Sequence, residues 1–65
     1  MQDFEKRVVS QLCELDDRME KLSAFMYGDV FPTLLDVDQV LLRMQLRAMV
    51  PYAAVLSDRI ERFTG

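Results

Sequence analysis

Residues 36–63 read DVDQVLLRMQLRAMVPYAAVLSDRIERF. Within them Leu42, Leu46, Met49, Ala53, Leu56, Ile60 and Phe63 succeed one another at steps of 4, 3, 4, 3, 4 and 3. Such steps return apolar side chains to one side of an α-helix, whereas a half-buried strand alternates every second residue. The spacing predicts a helix over about 37–63. Asp36 just before it, with Gln39 three residues on, has the order of an N-cap and its reach-back partner. Pro51 falls inside this helix. It removes the N–H that would bond the Arg47 carbonyl, so a bend is expected there. The stripe keeps its phase across Pro51, which favours one bent helix over two pieces parted at Val50.

Upstream, Phe4, Val8, Leu12, Leu15, Met19, Leu22 and Met26 recur at steps of 4, 4, 3, 4, 3 and 4. This predicts a first helix over about 2–26, about 37 Å long. Asp3 and Glu5 near its start suit the helix dipole. Asp3–Arg7, Glu14–Arg18 and Asp17–Lys21 have the favoured acid-first spacing for ion pairs. Between the helices, YGDVFPT gathers Gly28 and Pro32, the clear interior break. A turn over about 27–35 reverses the chain, with Phe31, Leu34 and Leu35 expected to cap the apolar end. The expected fold is all-α: one domain, 1–65, forming an antiparallel helical hairpin.

The chain has 65 residues, of which 51% are hydrophobic, with one cysteine and no histidine. A domain this small buries only about 60% of its unfolded surface. Disulfides, a metal or oligomerisation usually make up the deficit. One cysteine forms no internal disulfide, and Cys13 without histidine or a second cysteine is no zinc site. Association remains. Helix two carries a second stripe, Leu41, Gln45, Ala48, Tyr52, Val55, Arg59 and Arg62, with Val37, Val40, Met44 and Ala54 around it. Val9, Cys13 and Phe25 add to the first helix. One partner helix cannot cover faces this wide, and monomers rarely expose such patches. Two hairpins packed as a homodimeric four-helix bundle would cover them, with a higher even-numbered oligomer as the second choice. Leu41, Met44, Gln45, Ala48, Tyr52, Val55 and Arg59 are the expected oligomer or partner interface.

Of the five methionines, Met19 and Met49 fall on the main stripes, and Met26 and Met44 suit an interface. No apolar run approaches 18 residues, so no membrane span is expected. The start, MQDFEKRVV, lacks a signal-peptide pattern, and with a free cysteine a reducing, cytoplasmic setting is expected. A net charge of −3 disfavours nucleic acid as a partner.

No enzyme is expected. The commonest general base is missing, and no glycine loop is present to cradle phosphate. Acidic neighbours disfavour a Cys13 thiolate, so a buried or interfacial structural thiol is expected. The acids Glu14, Asp16, Asp17 and Glu20 read as a solvated face, and no catalytic, cofactor or metal residue is assigned. Arg43 and Arg47 lie one turn apart. Ion pairs to Glu14, Asp17 or Glu20 are expected, the alternative being contact with an anion or an acidic partner. Tyr52 needs a hydroxyl partner such as Gln45 or Arg59 of a neighbouring subunit, or else serves as an exposed hot spot. Tyr27, Val30 and Phe31 are expected to cap the bundle end.

Arg7-Val8, Glu14-Leu15-Asp16, Lys21-Leu22 and Phe25, with Leu41-Leu42, Gln45-Leu46, Met49, Tyr52, Leu56 and Arg59-Ile60, form a pattern over most of the chain. In it the chain resembles a group of short helical proteins of tailed phages and prophages, defined only by relation to a crAss-like phage reading frame. Pro51 and the apolar turn depart from that pattern. The resemblance implies a phage or prophage origin and an accessory role, with no activity to transfer. Three roles follow as expectations: a binding protein that inhibits a host or anti-phage defence component, an oligomeric sponge for an anionic nucleotide signal, and a structural adaptor in a larger phage complex.

Overall fold

The computed structural model describes residues 2–64. Helix α1 spans Asp3–Tyr27, a single 3₁₀ turn spans Phe31–Thr33, and helix α2 spans Asp36–Thr64. The two helices pack side by side as a hairpin. Among the described residues there is no strand. Met1 and Gly65 lie outside this description.

Both ends of α1 are closed locally. The Gln2 backbone N–H donates to Glu5 Oε1 at 2.8 Å, which satisfies one of the donors a helix start leaves orphaned. At the other end of α1, the Gly28 N–H donates to the Phe25 carbonyl at 3.1 Å. Gly28 has φ −83° and ψ 179°, an extended conformation open to any residue. A Cβ there would first meet the Phe25 carbonyl oxygen at 3.4 Å, an ordinary contact.

The start of α2 corrects the expected cap. Asp36 is the first helical residue, not the residue before it. Gln39 does not reach back to Asp36. Its side-chain amide donates to the Leu34 carbonyl at 2.9 Å and reaches the Pro32 carbonyl at 3.4 Å. The 3₁₀ turn carries those two acceptors back over the first turn of α2, where an amide NH₂ meets them. The Thr33 hydroxyl donates to the Val30 carbonyl and tightens the same turn.

Helix α2 runs through Pro51 as one element, so the division at Val50 does not occur. Pro51 is exposed. It lies nine residues from Leu42, about half a revolution away from the packed stripe. A proline there leaves the buried side of the helix unbroken, and the Arg47 carbonyl it frees is on a helix open to water.

The core is the seam between the two stripes. Val8, Leu15 and Leu56 are buried, and Leu12, Met19, Met49, Ala53, Ile60 and Phe63 pack against them. Leu56 has no exposed surface at all. Aromatic pairs close both ends. Phe4 meets Phe63 edge-on at 6.3 Å beside the termini, and Phe25 meets Phe31 edge-on at 6.4 Å beside the turn. Phe31 is buried and Leu34 half-buried, as a cap requires. Leu35, Tyr27 and Val30 are not part of it: all three are exposed. The Phe31 ring, with Phe25 against it and Leu34 beside it, already fills the narrow end of the two-helix seam.

The hairpin is a rod of 45 × 15 × 15 Å with a radius of gyration of 14.8 Å. A compact chain of this length would have a radius near 11 Å. Its accessible surface is 5142 Å², against roughly 4,300 Å² for a compact protein of its mass.

Leu56→Ala is expected to cost about 2–5 kcal/mol, because it opens a cavity at the one fully enclosed position. Gly28→Ala should stay within about 0.5 kcal/mol of the parent. Urea unfolding followed by far-ultraviolet circular dichroism checks both, and equal effects at the two positions would contradict the packing described.

Candidate binding face on the second helix

Helix α2 is apolar on two sides, and α1 covers only one. On the other side Val37, Leu41, Met44, Tyr52 and Val55 each keep 50–60% of their surface exposed. Gln45, Ala48 and Arg59, the other expected interface residues, are exposed as well. The buried stripe advances seven residues every two turns. The exposed one advances eleven residues every three turns: Val37, Ala48 and Arg59 are in register, as are Leu41 with Tyr52 and Met44 with Val55. An eleven-residue repeat, about 3.67 residues per turn, follows a nearly straight helix face without the left-handed coil of a heptad seam. The exposed face is therefore a straight band along the rod, distinct from the seam.

The band ends in charge. Val55, Asp58, Arg59, Glu61 and Arg62 line an open depression of about 560 Å³ over the last turns of α2. All five residues belong to one helix, so they make one wall of a site. Arg59 and Arg62 are on the band itself. Asp58 and Glu61 are turned about 80° and 140° from its centre.

Every basic residue of α2 is an arginine: Arg43, Arg47, Arg59 and Arg62. The expected ion pairs of Arg43 and Arg47 with Glu14, Asp17 or Glu20 are not formed. Among the described residues the one ion pair is Lys21–Asp17, at 2.9 Å within α1. Its hydrogen bond and charge hold the Lys21 ammonium above its ordinary range. Asp3–Arg7 and Glu14–Arg18 remain apart. Arg43 lies instead over the ring of Phe31, 5.3 Å from its centre. The buried ring at the turn offers a fixed π face, whereas the α1 carboxylates project from an exposed helix surface. A guanidinium over an aromatic face gains about 0.5–1 kcal/mol at an exposed site. Arg43 is thus part of the cap that seals the turn.

Arg43, Arg47 and Tyr52 do not share a face. At about 100° per residue, Tyr52 lies about 180° from Arg43 and 140° from Arg47. One chain cannot bring its tyrosine to these two arginines. Cys13 is exposed on α1 rather than buried. It lies two residues from Leu15, about 160° away from the seam. The Asp17 carboxylate is engaged by Lys21.

Two features were not foreseen from the sequence. The Arg43–Phe31 contact joins residues twelve apart across a turn, and periodicity carries no signal for it. The Arg59–Arg62 depression was half legible, since both residues continue the second stripe.

A family model described as Sequestin matches residues 2–62. The match covers nearly the whole chain, so the chain belongs to the Sequestin family. No curated protein and no solved structure matches it.

Arg43→Gln is expected to lower stability by about 0.5–1 kcal/mol, and to lose that effect when Phe31 is already Leu. A double-mutant cycle in urea checks this. Additive losses would mean that the two side chains do not interact.

Proposed function

From membership of the Sequestin family and from the arginine-edged face of α2, we propose that the protein works by sequestration. It binds a small anionic ligand, a nucleotide signal, and holds it in sites formed between copies of the chain. The family's name supports a sequestering role. The observation that carries the ligand's charge is the set of four α2 arginines, which have no carboxylate partner among the described residues. Arginine presents a planar fork of donors that matches phosphate oxygens two at a time, so an all-arginine helix suits phosphate better than a mixed basic one. Exposed apolar side chains beside Arg59 would accept a base or a ribose edge. The chain is read as a binder and not as an enzyme, acting in the cytoplasm of a bacterial host. A phage or prophage origin, with a signal of host defence as the ligand, belongs to the same proposal and rests on the resemblance described above.

Self-association is part of this reading. The depression at the end of α2 has one wall, and a second copy is the simplest source of another. A homodimer is the expected state, and larger even-numbered assemblies are compatible with it.

A second reading is favoured by the width of the exposed band. There the same face docks on a host or defence protein and blocks it. Tyr52, half-exposed in the middle of the band, would be its anchor.

A ligand at one hundred times its Kd stabilises the folded state by about 2.7 kcal/mol, a rise of roughly 10–20 °C in Tm for a domain this small. Thermal-shift measurements across cyclic and linear nucleotides should find such a rise for one class. It should vanish in the double variant Arg59→Gln, Arg62→Gln. A flat response to the whole panel would remove the sponge reading. The inhibitor reading predicts instead a stoichiometric complex with one protein from bacterial lysate, weakened at least tenfold by Tyr52→Ala. Unchanged capture by that variant would contradict it.

A further inference from the structure

The central positions of the exposed band on α2, Val37 to Arg59, have the same spacing in both directions. From Val37 through Leu41, Met44, Ala48, Tyr52 and Val55 to Arg59, the steps are 4, 3, 4, 4, 3 and 4. The order is symmetric about Ala48, the smallest side chain of the band. Helices in contact approach most closely where the facing side chains are small. A two-fold axis makes a surface meet itself, so that residue i contacts j and j contacts i. A band palindromic about its smallest residue meets that requirement for an antiparallel pair.

We infer that α2 pairs antiparallel with α2 of a second copy, with the two-fold axis at Ala48. Ala48 then faces Ala48, Leu41 faces Val55, and Met44 faces Tyr52. Apolar surface meets apolar surface at every central position. The eleven-residue repeat stays close to the 3.6 residues of a helical turn, so the band drifts only slightly, in the right-handed sense, over the turns in contact.

The exposed area agrees with this pairing. The rod exposes 5142 Å², a surplus on the order of 850 Å² over a compact protein of its mass. A stable interface of standard size takes about 800 Å² from each partner.

The pairing also completes the depression at the end of α2. Arg59 faces Val37 of the second copy, and Val55 faces its Leu41. The wall bearing Arg59 and Arg62 thereby gains an apolar wall opposite, twice per dimer. This specifies the self-association on which the sequestering role rests, and its test does not depend on any ligand.

Cysteine cross-linking in a Cys13→Ser background reads the geometry directly, since a disulfide needs Cβ atoms about 3.5–4.5 Å apart. Ala48→Cys should form disulfide dimers under mild oxidation at least tenfold faster than Ala54→Cys, about 120° round the helix. Leu41→Cys should cross-link to Val55→Cys when the two proteins are mixed, and not to itself. All four positions are exposed, and unchanged helicity confirms that each variant folds. Light scattering of the parent should give at least twice the 7.6 kDa of one chain. A monomeric mass, self-linking by Leu41→Cys, or no preference for Ala48→Cys over Ala54→Cys would overturn the pairing. A dimer with these cross-links that binds no nucleotide would leave the pairing intact and remove the sequestering reading.

Discussion

A chain of two helices has one seam, and that seam can be only one stripe wide. Everything else in this protein follows from that limit. The seam is centred on Leu56, with Val8 and Leu15 beside it. Burying a leucine side chain fully contributes roughly 1.5–3 kcal/mol, and among the described residues only four side chains are buried to that degree or nearly so. The remaining stripe residues are half-covered. The fold is therefore held by a thin core and by its ends, where Phe4 with Phe63 and Phe25 with Phe31 plug the two openings.

The same limit explains why polar detail gathers at the turn. A hairpin end is where helix donors and acceptors lose their partners. Here the Gln39 amide takes two turn carbonyls, the Thr33 hydroxyl takes a third, and Arg43 covers the Phe31 ring. None of these contacts is buried deeply enough to contribute much alone. Together they define where α1 stops and α2 begins, which sets the register of the seam and so which face of α2 remains outside.

That outer face carries the function proposed for the molecule. It combines straight apolar surface with arginines that the hairpin does not neutralise. The chain belongs to the Sequestin family, and the sequestering role proposed for it requires sites that enclose a ligand. A rod with one open wall per chain gains enclosed sites by pairing, without adding a residue. The surplus surface that makes the single hairpin marginal is the same surface that pairing would use.

The sequence by itself determined the two helices and the seam. Leu42, Leu46, Met49, Ala53, Leu56, Ile60 and Phe63 are all at least half-buried in the hairpin, because helical periodicity alone dictates which side chains share a face. It also located the second band, since Leu41, Ala48, Tyr52 and Val55 recur as regularly as the core does. Only the tertiary structure decided what the ends and the charges do. Asp36 begins the helix instead of capping it, and Leu35 and Tyr27 stay in water. Arg43 takes an aromatic ring in preference to a carboxylate, and Cys13 is turned outward. These outcomes depend on how the chain closes in space at the turn, and on which groups a narrow seam leaves within reach. Neither is encoded in the period of a stripe.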